Sequence, residues 1–172
     1  RTLIDCTEYQ LPALGYVSRY GDVAQALAAE LSATGVVPYR PALVTHAAES
    51  DTQVSLTLSD HQQLNAALLV QAEGGVFGTQ TSKAIHRDYQ QMAIVTNVRS
   101  DGMVPGRAYE RFTQEGPLAL LPDRDGYSLV WCVRPAHGEA LLAMPETDFL
   151  LSLQGAFGHR VGTFTQLGQR HS

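Results

Sequence analysis

One run most constrains what this chain can fold into. Leu118-Ala119-Leu120-Leu121 is boxed between Pro117 and Pro122 and does not alternate with polar residues. A strand with one wet face alternates, because successive side chains point to opposite sides of the sheet. This run therefore asks for cover on both faces. It lies within Arg107–Trp131, which reads as two or three short strands separated by turn residues.

The surrounding pattern predicts the rest of the fold. The run Asp22–Ala33 carries apolar residues at Val23, Ala26, Leu27 and Leu31, a helical stripe with Asp22 as N-cap and Gly35 just past its end. Pro38 and Pro41 forbid a helix in the next stretch, where β-branched residues favour a strand. The alternating Val54, Leu56 and Leu58 and the run beginning at Leu64 predict a hairpin across the polar turn 59–63. The Gly- and Thr-rich stretch from Glu73 to Lys83 reads as a loop, and Tyr89–Ser100 as a strand. Helical character returns from Pro135 to Gly158, with Pro145 in a first turn and Phe149, Leu150, Leu153 and Phe157 at helical spacing. A last strand, Arg160–Gly168, rejoins the sheet. Short connections favour antiparallel pairing, so the expected class is α+β, a mostly antiparallel sheet with helices on one face.

Composition narrows function mainly by exclusion. A chain of 172 residues, 44% hydrophobic, is long enough for one compact domain. A net charge of −5 with 12 Lys and Arg scattered along the chain leaves no basic stripe for nucleic acid. No apolar run is long enough to span a bilayer. Cys6 and Cys132 have neither metal-ligand nor disulfide-framework spacing, which fits a reducing cytoplasm. The six histidines share no ligand spacing, so no metal site is expected. There is no GxSxG elbow and no P-loop, and no catalytic residue can be assigned. Trp131 and Cys132 are expected to pack in the sheet, and charges such as Glu110 and Arg111 to pair across strands. Both ends are abrupt, as expected of a piece of a longer protein.

Three stretches carry a family resemblance. Glu8–Leu31 is similar to a strand-then-helix segment, Leu68–Gly75 to an apolar strand followed by A-D-G, and Tyr89–Cys132 to a central signature of the FAD-dependent aromatic hydroxylases of ubiquinone biosynthesis. Phe149–Phe164 continues the match. The resemblance implies residues 1–172 are the substrate-binding domain of a p-hydroxybenzoate-hydroxylase-like flavoprotein monooxygenase. The family's G-x-G-x-x-G turn and its later G-D motif, which bind flavin, do not occur in this sequence.

The implied reaction uses NAD(P)H to reduce FAD, activates O2 on the reduced flavin and passes one oxygen atom to a prenylated phenol. The protein must then hold the ring, exclude water and accommodate an isoprenoid tail. On this resemblance Phe112, Pro117, Leu118 and Leu120 are assigned to the substrate side, with Arg111 as polar orienter and Glu73 and Gly74 as cofactor contacts. Two departures stand in the match: Glu73 replaces the family's Asp, and Phe77 stands where a small hydroxyl residue is expected. Gly21 stands near a position where many relatives carry Arg. The implied setting is cytoplasmic, free or peripheral to the inner membrane, with a ubiquinone-biosynthesis complex and homo-oligomerisation left open. The competing reading is a non-catalytic binding or self-association module built on an apolar sheet face.

Overall fold

A computed structural model describes residues 2–72 and 87–172. The chain divides into two compact units, Ala24–His86 and the combination of Arg1–Val23 with Arg87–Ser172, where length alone led us to expect one. The expected single sheet is likewise two, of three and five strands. The reason is local: the three-stranded sheet closes its own hydrogen bonds through short turns and needs no strand from the larger one.

That smaller sheet is a meander of β1 (Val44–Glu49), β2 (Val54–Leu58) and β3 (Gln63–Ala66). Its β2–β3 hairpin is the predicted one, with Thr57 opposite Gln63 and Val54 opposite Ala66. Among its described residues only Leu58 is buried. Helix α1 (Tyr20–Ala33) starts two residues earlier than predicted. Asp22 therefore sits in its first turn, where a negative charge suits the helix dipole, and is not the N-cap. Gly35 follows its end with φ +72°, as the C-terminal stop requires. None of α1 is buried, so its apolar stripe stays uncovered.

The larger sheet contains β4 (Met92–Ser100), β5 (Tyr109–Phe112), β6 (Pro117–Asp123), β7 (Gly126–Val133) and β8 (Phe164–Leu167), in the order β5-β6-β7-β4-β8. All its pairings are antiparallel. Between β7 and β8 the chain forms α2 (Pro135–Ala143) and α3 (Glu146–Phe157). Pro135 is the proline at the start of a helix; Pro145, expected in a first turn, is instead the cap before α3. A proline serves at either place because the first helical N–H groups have no partner inside the helix.

Both helices cover one face of this sheet. Phe149, Leu153 and Phe157 recur every four residues along α3 and are all buried, with Leu141 of α2, against Ile94, Val98, Leu118, Leu120, Tyr127, Leu129 and Trp131. Trp131 meets the Phe149 ring edge-on at 5.9 Å, which places it in the core as expected. The Met92 side chain packs closely on α2 at buried Gly138, where a Cβ would lie 2.5 Å from the Met92 sulfur. Tyr127 is buried with its hydroxyl oxygen accepting from the Val104 N–H at 3.0 Å, and burial raises its phenol pKa. Antiparallel sheets with helices on one face are the α+β class predicted.

Candidate functional site

The register of the larger sheet decides which side chains can serve a ligand. Leu118 pairs with Trp131 and Leu120 with Leu129, and all four point to the helix side. Ala119 pairs with Val130 and Leu121 with Ser128, so these point the other way. On β4 the same face carries Ala93, Val95 and Asn97, opposite Cys132, Val130 and Ser128. Ala119, Leu121, Val130 and Cys132 are half-buried, while Val95 is exposed. The side of the sheet away from the helices thus has an apolar centre on its middle strands.

A polar border lies at one end of this face. Ser128 Oγ donates to Asn97 Oδ1 at 3.2 Å, and Arg19 pairs with Asp123 at 3.1 Å. A small cavity of about 230 Å³ opens there, lined in part by Arg19, Asn97, Asp123 and Gly168. At the opposite edge Phe112 pairs with Pro117 and is 80% exposed.

The five residues assigned to substrate therefore separate. Phe112 and Pro117 lie on the open face. Leu118 and Leu120 have no exposed surface and belong to the core, which corrects their assignment as lining: in a period of two they are the inward pair. Arg111 also points to the helix side, where its Nη1 donates to the Phe157 carbonyl at the end of α3. It forms no ion pair with a neighbouring strand among the described residues. Glu73 and Gly74, assigned to the cofactor, lie outside the described residues, as do Phe77 and the predicted loop. The half-buried apolar residues of the open face that the sequence reading did not single out are Ala119, Leu121, Val130 and Cys132. Strict alternation from Leu118 would have found them, had the run not been apolar at every position.

A second arrangement of polar groups sits at the β5–β6 hairpin. His137 Nδ1 lies 2.7 Å from Glu115 Oε2, and the Arg134 N–H donates to the same oxygen at 3.4 Å. The His137 hydrogen bond, as the largest cause, holds the Glu115 carboxyl below its ordinary range. The His137 ring meets Trp131 edge-on at 6.1 Å, at the rim of a cavity of about 390 Å³ that also includes Phe112 and Val133. This pair ties the hairpin to the start of α2. Among the described residues no three His, Cys, Asp or Glu gather as a metal site, and no helix is long and apolar enough to cross a membrane.

The fold has a known counterpart in a flavoprotein. The chain superposes on a flavin-dependent halogenase, CmlS, with a TM-score of 0.60 at 17% identity, over 87% of this chain and 30% of that one. No family model matches the sequence. The chain is, however, a homologue of part of the ubiquinone biosynthesis monooxygenases. It is 31% identical over 162 residues to COQ6 of Rattus norvegicus, covering 86% of this chain and 34% of that protein. It is 36% identical over 136 residues to the ubiquinone hydroxylase UbiL of Rhodospirillum rubrum, covering 77% and 32%. The human COQ6 protein matches at 30% over 162 residues, covering 86% and 35%. The chain spans about a third of the length of these relatives.

Proposed function

We propose that the chain is the substrate-binding portion of an FAD-dependent monooxygenase that hydroxylates a prenylated phenol in ubiquinone biosynthesis. The observation that carries this reading is the one-sided sheet. Helices seal one face, and the central strands present an apolar strip, Ala119, Leu121, Val130 and Cys132, on the other. Small and medium apolar side chains on a flat sheet suit an aromatic ring lying against them, with Phe112 and Pro117 extending the apolar surface toward β5.

FAD, with NAD(P)H as its reductant, would supply activation of O2 and transfer of one oxygen atom to the ring. The strip fits the wall such chemistry needs, because it offers hydrocarbon and excludes water from one side of the ring. The Arg19–Asp123 and Ser128–Asn97 pairs at its border offer hydrogen bonds to a ring substituent. The isoprenoid tail would gain about 0.8 kcal/mol per methylene buried on such a surface.

A prenylated phenol titrated into the chain, followed by backbone NMR shifts, tests the reading. Saturable shifts on β6 and β7 that vanish in Val130→Asp, with the amide spectrum of the variant otherwise that of the folded wild type, are expected. Absence of saturation, or binding untouched by Val130→Asp, overturns it. One observation favours a second reading, self-association: exposed Phe112 lies on β5, the strand at the edge of its sheet among the described residues. A light-scattering mass that doubles in the wild type and halves in Phe112→Asp would favour that reading.

A further inference from the structure

On the helix side of β5 lies a cavity of about 410 Å³ that the open sheet face does not include. Two guanidinium groups line it, those of Arg111 and Arg160. Each is held from within the protein: Arg111 donates to the Phe157 carbonyl, and Arg160 lies over the Tyr109 ring, 5.8 Å from its centre. Neither has a carboxylate within 4.0 Å among the described residues. His159 and Thr2 also line the cavity, and Glu110 borders it from β5, where its pairing with Ala119 turns its side chain to the opposite face of the strand from Arg111.

Two cations brought to one concavity repel each other and gain from a shared counter-ion. Arginine presents its donors in a planar fork that matches the oxygens of phosphate, and both forks here are pre-positioned by contacts that leave other donors free. The positioning of Arg111 depends on close backbone approach. A Cβ on Gly158, whose φ is +86°, would come 3.1 Å from Arg111 Nη1. The cavity volume is in the range of small-molecule sites, and buried Phe157 and half-buried Tyr109 give it an apolar floor.

We infer that this cavity is an oxyanion site that takes a phosphate group between Arg111 and Arg160, separate from the sheet face proposed for substrate. The phosphate can belong to a free phosphate ester or to an anionic lipid headgroup, and the same two arginines serve either.

Inorganic phosphate titrated into the chain, followed by the backbone amides of Gly158 to Arg160, is expected to saturate. Arg160→Gln should weaken binding at least about tenfold. Arg160→Gln is preferred to an Arg111 variant because Arg111 also braces α3; an unchanged unfolding midpoint shows that the variant folds. Vesicles of phosphatidylserine, against vesicles of phosphatidylcholine, separate the sources. Binding to the anionic vesicles that phosphate displaces assigns a headgroup, and phosphate binding without vesicle binding assigns a soluble ester. No saturation with phosphate and no preference for anionic vesicles, or binding of either that Arg160→Gln leaves intact, overturns the inference.

Discussion

Adjacent leucines on β6 should differ sharply in their worth to the fold. Leu120 has no exposed surface and packs between Tyr109 and Leu129 in register, under the helices. Leu120→Ala removes a fully buried isobutyl group and leaves a cavity, a change that costs about 2–5 kcal/mol. Leu121 points to the open face and is only half-buried, so Leu121→Ala forfeits roughly half of the transfer energy of a leucine, about 1 kcal/mol, with no cavity term. Urea unfolding followed by tryptophan fluorescence measures the difference cleanly. Trp131 is the one tryptophan in the chain, is 3% exposed and belongs to the same sheet, so its signal reports the larger unit and not the three-stranded one. With a slope of about 1–3 kcal/mol per molar urea, Leu120→Ala should lower the midpoint by about 1–3 M, and Leu121→Ala by well under half as much. Equal shifts, or a larger shift for Leu121→Ala, would refute the assignment of faces on which the candidate site rests.

Gly138→Ala should destabilise the larger unit by about 1–3 kcal/mol despite alanine's better helix propensity, because the new methyl meets Met92 at 2.5 Å; the same fluorescence assay reads it, and Met92→Ala should rescue part of the loss. In carboxyl-detected NMR the Glu115 side chain should titrate below its ordinary value of 4.5, and His137→Ala should move it back upward. Because the folded-state value is the lower one, the stability this contact adds is present above the unfolded-state pKa and is lost as pH falls through the folded one. Wild type and His137→Ala should therefore converge in stability in acid, and a difference that widens there would falsify the assignment.

Elements were legible where the pattern was local. The β2–β3 hairpin, β4, β8 and the apolar spacing of α3 follow from alternation or from a four-residue repeat, and the structure forms them. Helix starts were less legible. Asp22 and Pro145 carry the right chemistry for a helix N-terminus, yet each sits a position or two from where it was expected, because neighbouring residues supply equivalent starts. The division into two units left no composition break to read, since it rests on which strands share hydrogen bonds. Which face each residue of the run takes was not legible: Phe112 and Pro117 fall on the open face, whereas Leu118 and Leu120 point to the helices, because an unbroken apolar run carries no alternation from which to read the inward pair.

The unbroken run at Leu118–Leu121 then has a physical explanation that alternation alone could not supply. β6 is an interior strand of the sheet, flanked by β5 and β7, so it has no wet edge. Its inward pair, Leu118 and Leu120, is fully consumed by the helices. Its outward pair, Ala119 and Leu121, is only half-buried, beside the outward positions Ser128 and Asn97, which are polar and form a hydrogen bond in the same face. A sheet selected only to fold would gain solubility from polar residues at all of these positions. Apolar residues occupy the middle of the face, at Ala119, Leu121, Val130 and Cys132, and polar ones its end, a distribution that supports the proposed binding surface. The cost falls on the free chain, which leaves hydrocarbon half-covered, and a ligand or partner that lies on this face recovers it. Replacing Leu121 by Asn should accordingly lower the urea midpoint of the free chain far less than Leu120→Ala does while weakening any bound phenol, a separation of stability from binding that a residue of the core cannot show.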